Sequence, residues 1–349
     1  MKVAVIFGGI STEHDVSVIS GTSVIKNLNK RKYQILPIYI DKNGEWFKYT
    51  KEVDKIDILS LGQEITEKEK IDNIIETLKK VDVIFPVLHG LGGEDGSIQG
   101  LFKLINKPFV GCEILASSIG MDKVYAKMVF EKANIKQTKH VYIKKTKNGY
   151  KYINETLDEE KLNLLDICKK VEEKLKYPIF IKPSNSGSSV GITRVENIEE
   201  LKKGIEFASK YDEKVLIEEG INGREVECAV LGNDEVIASS VGEIIPADIF
   251  YSFDAKYSNS QSKTIIPANI TNELSDKIRK IAKKAFKAID GKGLARVDFF
   301  IERETNDIYL NEINTLPGFT NISMYPKLME NIGIMYEDLL DKLIDLAVE

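Results

Sequence analysis

Cysteine is scarce and scattered: Cys112, Cys168 and Cys228 are the only three, far apart and without CxxC spacing, so neither a disulfide framework nor a thiolate zinc site is indicated. All three are expected to be small buried residues. No apolar run approaches membrane-spanning length, and the one in MKVAVIFGG stops at Gly8, too short for the hydrophobic region of a signal peptide. A cytoplasmic protein without a membrane partner is expected. Neither charge sign dominates, with 49 Lys+Arg against 54 Asp+Glu, a net charge of -5 and basic residues spread along helical stretches. This balance argues against nucleic acid as a partner. Low-complexity tracts and internal repeats are lacking. So is a GxGxxG fingerprint, because Gly8-Gly9 is followed by Ile10-Ser11, which leaves a dinucleotide-dependent oxidoreductase without its phosphate-binding turn.

What is present is an ordinary globular composition, 43% hydrophobic over 349 residues, enough for two or three domains. From Val3 to about Met121 strands and helices alternate: KVAVIFGG, a helix near Val16–Leu28, YQILPIYI, a helix near Lys68–Lys80, VDVIFPVL and FVG. Apolar strands separated by helices predict a parallel sheet covered on both faces. Ligands of such sheets bind beyond the carboxyl ends of the strands, where the turns Gly8-Gly9 and HGLGGEDGSIQG fall. A Lys-rich helix, Met121–Lys132, leads into a small α+β unit. That unit holds HVYIKK, a helix near Leu162–Leu175, YPIFIKP, a Gly/Ser loop, ITRV, a helix near Ile198–Lys210 and KVLIEEGI. From about Glu225 the chain is strand-rich, crosses a polar stretch at 248–262, and gives a helix near Thr271–Ile289. The expected division is residues 1–121, 122–214 and 215–349.

The most informative segment is LARVDFFIERETNDIYLNEINTLPGFT, Leu294–Thr320. Two apolar, β-branched runs flank ERETND, the pattern of a hairpin. A turn centred on Thr305 sets Asp298 opposite Glu312 and Arg296 opposite Asn314 on one face, since strand side chains alternate with period two. Carboxylates and an amide suit a hard cation such as Mg²⁺, and the guanidinium suits a phosphate or developing oxyanion. In isolation the same face also reads as a solvated hairpin with a cross-strand ion pair. Between two strands, Lys182 to Gly191 (KPSNSGSSVG) is a small-residue loop able to wrap phosphate oxygens; it differs from a Walker A loop, which ends in GK[ST] and opens a helix. Glu218 ends the strand VLIEE, and the span to Ile221 offers a carboxylate and an apolar wall for a nucleoside. Glu13 and His89 each follow a parallel strand. Lys256 and Tyr257 lie in a polar stretch that reads as a surface loop or as a lid excluding water.

IFGGISTEHDVSVISG, LHGLGGEDGSIQG, MDK, IFIKPSNSGSSVG, VLIEEGINGREVE, FDAKY, ARVDFF and LNEINTLPGFTNISMYPKL occur in the order seen in D-alanine–D-alanine ligases of the ATP-grasp superfamily. The chain resembles that family from about Phe7 to Leu328. The resemblance implies a three-domain ATP-grasp fold, an N-terminal α/β domain followed by two α+β domains, with ATP between the central and C-terminal ones and amino acids between the N- and C-terminal ones. It makes Lys123 and Lys182 phosphate-binding lysines, with Ser189 in the same loop. Glu218, Ile221 and Glu225 line the adenosine pocket. Asp298, Glu312 and Asn314 hold two Mg²⁺ ions, with Mn²⁺ as an alternative. Glu13 takes the first ammonium in a triad with Ser188 and Tyr257, and His89 lies nearby. Arg296 and the Gly318 N–H form the oxyanion site; Ser323, the Met324 backbone and Lys256 hold the second carboxylate.

By this resemblance one D-alanine carboxylate is activated as an acyl phosphate and the amine of a second attacks it, making D-alanyl-D-alanine for peptidoglycan precursors. A homodimer is implied as well. Tyr257 and the apolar Met324 favour D-alanine over D-serine or D-lactate as second substrate. His14 departs from the Arg or Tyr that the resemblance leads one to expect after that Glu. The alternatives are a D-alanyl-D-serine ligase, a nucleotide-binding sensor without catalysis, and a carboxylating enzyme of the same superfamily.

Overall fold

The computed structural model describes residues 1–245, 263–320 and 322–349, and these described residues build three sheets. The expected lid at 248–262, with Lys256 and Tyr257, lies outside the described residues. The first sheet contains β1 (Lys2–Gly8), β2 (Gln34–Ile40), β3 (Trp46–Tyr49), β4 (Lys68–Lys70) and β5 (Val83–Leu88) in the order β4-β3-β2-β1-β5. β1 runs parallel to β2 and β5, while β3 and β4 extend one edge antiparallel. Alternation along β1 sends Val3, Val5 and Phe7 into one core and Ala4 and Ile6 into another, so both faces are covered. Phe109 of the expected strand FVG makes only an isolated bridge to Ile84.

The helix expected over Lys68–Lys80 is a strand and a shorter helix. Lys68–Lys70 pairs with β3, and the helix spans only Ile74–Lys79 behind Asn73, whose side chain accepts the Glu76 N–H. Asp72-Asn73 is cap chemistry that interrupts the apolar period. The same rule begins other helices. Asp122 opens Lys123–Lys132, Asn163 opens Leu164–Lys174, Asn197 opens Ile198–Ala208 and Thr271 opens Asn272–Ala288, each by accepting a first-turn N–H.

The second sheet is wholly antiparallel. It contains β6 (His140–Thr146), β7 (Gly149–Ile153), β8 (Glu159–Leu162), β9 (Ile179–Pro183), β10 (Thr193–Val195) and β11 (Lys214–Glu219), ordered β10-β9-β11-β6-β7-β8. Helices Leu164–Lys174 and Ile198–Ala208 close its core. The third contains β12 (Gly223–Leu231), β13 (Ile237–Ile245), β14 (Lys263–Ile265), β15 (Leu294–Glu302) and β16 (Ile308–Asn314), ordered β14-β13-β12-β15-β16 and backed by helix Asn272–Ala288. Helix Lys123–Lys132 packs into this third core through Ala126 and Phe130. The first and third sheets share one core, joined at Phe319, whose ring lies 6.1 Å from Phe85 and 5.5 Å from Tyr325.

Candidate active site

The three sheets meet at a cleft of about 570 Å³. Its floor is the β15–β16 hairpin, where Arg296 pairs with Asn314 and Asp298 with Glu312 as the sequence predicts. Nearer the turn the register is one residue different, with Phe299 opposite Leu310, and a bulge absorbs the change. The extra residue, Asn311, lines the cleft beside Glu312 while Leu310 and Ile313 stay in the core. Two consecutive polar residues thereby face one pocket.

Arg296 forms a two-point bond with Asp298, Nε to Oδ1 at 2.8 Å and Nη2 to Oδ2 at 2.7 Å, and its Nε lies 2.9 Å from Glu227 Oε2. Burial alone would lower the Arg296 pKa, but Asp298 and Glu227 outweigh it and raise it well above its ordinary value. Asn314 Nδ2 donates to Asp298 Oδ2 at 3.0 Å. Glu312 lies 3.8 Å from Lys123 Nζ, which donates to the Ser186 carbonyl at 2.5 Å. Among the described residues no group of three or more His, Cys, Asp or Glu could hold a metal. The donor set is two carboxylates and an amide oxygen, which fits Mg²⁺ when substrate phosphates and water complete the shell.

Above the hairpin, β9 and β11 place Lys182 against Glu218, Nζ to Oε1 at 2.5 Å, and Lys182 also donates to Asn311 at 3.3 Å. A second lysine, Lys127, reaches the other Glu218 oxygen at 3.0 Å. Burial would raise the Glu218 pKa, yet the two lysines hold it far below the usual carboxylate range. Burial likewise opposes the Lys182 charge, and Glu218 overrides it so that its pKa is raised. Ile221, Glu225 and Phe300 line the same end.

At the opposite end, loop Ser184–Gly191 closes on the first sheet. Ser188 Oγ donates to Glu13 Oε1, and Ser188 and Ser189 both adopt positive φ, 48° and 61°, the left-handed region that non-glycine residues uncommonly enter. Glu13 is wedged between two glycines: a Cβ on Gly187 would sit 2.6 Å from its Oε2 and one on Gly90 2.8 Å. His14 turns away from the cleft, with Nδ1 2.6 Å from the Gly9 carbonyl and Nε2 3.2 Å from Tyr39 Oη. Its departure from the family pattern therefore touches the sheet rather than a substrate.

His89 is also spoken for on both nitrogens. Nδ1 faces the Leu316 carbonyl at 3.1 Å and must donate; Nε2 then accepts from Ser20 Oγ at 3.1 Å, and Ser20 receives the Phe319 N–H at 3.3 Å. Burial lowers the His89 pKa, so the ring is neutral. In this structure His89 anchors the Leu316–Phe319 turn that carries Gly318. Ser323 Oγ accepts the Thr320 N–H at 3.1 Å, and Met324 packs toward Gly242, where an added Cβ would lie 2.5 Å from Cε.

All the described residues singled out from the sequence line this cleft except Asp298, which lies beneath it, bonded to Arg296. Sequence reasoning missed Glu94, Asn311, Glu227 and Lys127. Glu227 follows Glu225 at strand period on β12, and Lys127 follows Lys123 by one helical turn, so periodicity carried both signals. Glu94 accepts the Gly90 N–H at 3.0 Å and stands 4.0 Å from His89. Burial first, and then nearby Glu13, push its carboxyl up to about 8.

Two antiparallel sheets clasping a Lys- and Glu-lined cleft define the ATP-grasp class of fold. Residues 2–112 match the family model "D-ala D-ala ligase N-terminus" and residues 146–345 match "D-ala D-ala ligase C-terminus". The chain belongs to the D-alanine–D-alanine ligase family. It is 50% identical over 373 residues to the D-alanine–D-alanine ligase of Acetivibrio thermocellus, covering 100% of this chain and 96% of that one. Against the enzyme of the same name from Clostridium acetobutylicum it is 51% identical over 346 residues, with 99% and 97% covered. Among solved structures, the VanG D-Ala:D-Ser ligase from Enterococcus faecalis superposes with a TM-score of 0.84 at 40% identity, covering 99% of each chain. The D-alanine–D-alanine ligase from Coxiella burnetii gives 0.81 at 30%, covering 100% of this chain and 94% of that one.

Proposed function

We propose that this chain joins two D-alanines into D-alanyl-D-alanine at the expense of ATP, for peptidoglycan precursors. The observation that carries the reading is the continuity of one cleft from the Lys182–Glu218 end, across the Arg296–Asp298 floor, to the Glu13–Ser188 closure. Nucleoside, phosphates and amino acid then lie in line. Lys182 and Lys123 neutralise phosphate charge, with Ser189 beside them. Ile221 and Glu225 border the nucleoside, and Glu13 meets the ammonium of the first D-alanine. Asp298, Glu312 and Asn314 would hold Mg²⁺, which supplies positive charge next to the transferring phosphoryl group.

One carboxylate oxygen of the first D-alanine attacks the γ-phosphorus, the bond to ADP breaks, and an acyl phosphate forms. The deprotonated amine of the second D-alanine then attacks the acyl carbon. Arg296 and the Gly318 N–H stabilise the oxyanion, and collapse of the intermediate expels phosphate. Positioning and fixed charge supply most of the rate in such transfers. Ser323 and the Met324 backbone hold the second carboxylate. Lys256 and Tyr257 belong to this scheme as second-carboxylate and lid residues, by resemblance to the family. We place the enzyme in the cytoplasm, as a homodimer.

A second reading, D-alanyl-D-serine synthesis, is favoured by the likeness to the VanG structure. The apolar, buried Met324 stands against it, because D-serine would bring a hydroxyl to a side chain offering no strong hydrogen-bond partner. The test is incubation with ATP, Mg²⁺ and D-alanine, alone and with D-serine or D-lactate, with an L-alanine control. Mass spectrometry and phosphate release are read together. D-Alanyl-D-alanine as the main product is expected. A mixed dipeptide would overturn the Met324 argument, and no ATP-dependent product at all would overturn the ligase reading.

A further inference from the structure

Lys127 is fully buried, 3% exposed, on the helix Lys123–Lys132. Unlike Lys123 and Lys182 it is not among the residues lining the cleft, so no part of the scheme above uses it. Its Nζ lies 3.0 Å from Glu218 Oε2 and 3.3 Å from Thr138 Oγ1, and Thr138 in turn donates to the same Glu218 oxygen at 3.2 Å. Lys182 holds the other oxygen from the cleft side. One buried carboxylate is thus gripped by two lysines, one facing the ligand and one behind it.

The two grips are not equivalent once a nucleotide enters. Phosphate oxygens compete for Lys182, which faces them. Lys127 cannot follow, so among the described residues it is the cation that stays on Glu218. A buried carboxylate left without a cation takes up a proton instead of bearing its charge. A protonated carboxyl can donate a hydrogen bond, whereas a carboxylate only accepts.

We infer that Lys127 is a specificity-determining positioning residue for the nucleotide: it keeps Glu218 an acceptor-only group at the base, so that the cleft takes a purine with an amino group at C6 and rejects one with a carbonyl there. The inference rests on the reading of this cleft as the ATP site. Thr138, Phe180 and Ile221 line the cleft around Glu218, giving the base a mostly apolar slot in which that one acceptor decides. Sites built around a single buried hydrogen bond discriminate strongly, because the wrong partner leaves a polar group unpaired.

The experiment compares ATP with inosine triphosphate, which differs by a carbonyl at C6, using the full-length wild type, Lys127→Met, Lys127→Arg and Glu218→Gln. Phosphate release with D-alanine gives kcat/KM for each nucleotide. Lys127→Met is expected to narrow the ATP-to-inosine-triphosphate ratio by about tenfold or more, through the nucleotide KM, with the D-alanine KM nearly unchanged. Lys127→Arg should keep most of the preference. Equal losses for both nucleotides, or an unchanged ratio, would overturn the inference. Should Lys127→Met fail to fold, Glu218→Gln decides: its amide can turn either a donor or an acceptor to the base, so its ratio should narrow, and an undiminished ratio refutes the idea. Absence of turnover in the wild type would count against the ligase reading instead. The role of Lys127 would still be measured there by equilibrium binding of the two nucleotides.

Discussion

At the scale of single residues the cleft is a set of buried charges whose states are fixed by their neighbours. Arg296 is held between Asp298 and Glu227, and Glu218 between two lysines, so both stay ionised. Among the described residues Glu94 forms no ion pair with a lysine or arginine; its partners are the Gly90 N–H and neutral His89. Its pKa rises from an ordinary 4.5 to about 8 on folding. The folded chain therefore keeps a proton that the unfolded chain gives up, and folding loses stability as pH climbs through that window. Glu94→Gln keeps an acceptor for Gly90 and removes the titration. Thermal unfolding from pH 5 to pH 9 should show the variant gaining on the wild type as pH rises, by a few degrees, since about 1 kcal/mol moves a chain of this size by roughly 2 °C. A difference that stays flat with pH would sink the assignment.

At the scale of elements, the loop Ser184–Gly191 works by close approach. Gly187→Ala puts a methyl 2.6 Å from Glu13 Oε2, and Gly90 on the far side leaves that carboxylate little room to yield. The D-alanine KM is expected to rise about tenfold or more while the ATP KM changes by less than about threefold. Gly100→Ala, where nothing lies within 4 Å of the added methyl, serves as the control. A parallel rise in both constants for Gly187→Ala would show instead that the loop as a whole had shifted. How much of this was legible beforehand depends on the element. Apolar alternation and the ERETND turn place Arg296 opposite Asn314 and Asp298 opposite Glu312, and helix caps such as Thr271 mark their starts. The bulge at Asn311 carries no local signal, because an inserted strand residue looks like any other until its partner strand is known. The Lys68–Lys80 stretch fails for a related reason: tertiary pairing with β3 outweighs a helical pattern in a charged segment. Helical spacing puts Lys127 one turn after Lys123, but its burial, like that of Glu94, needed three dimensions.

At the scale of the whole molecule the cores are unequally connected. The first and third sheets share one apolar core, sealed by Phe319, Tyr325 and the helix Tyr336–Val348, whereas the second sheet has a core of its own. What ties the second sheet to the rest includes polar contacts: Asp122 with Lys214 at 2.5 Å, Lys127 with Glu218 at 3.0 Å, Lys182 with Asn311 at 3.3 Å and Ser188 with Glu13. Polar ties across a solvated cleft contribute far less than a shared core. Residues 140–219 should accordingly form a separate unit of unfolding. In urea, followed by hydrogen exchange and mass spectrometry, amides of β9 and β11 are expected to lose protection at lower denaturant than those of β1 and β15. ATP with Mg²⁺ and D-alanine should draw the two transitions together, because ligands that bind only the closed cleft stabilise both of its walls. Coincident loss of protection in all three sheets without ligand would show that the polar ties couple them as tightly as a common core.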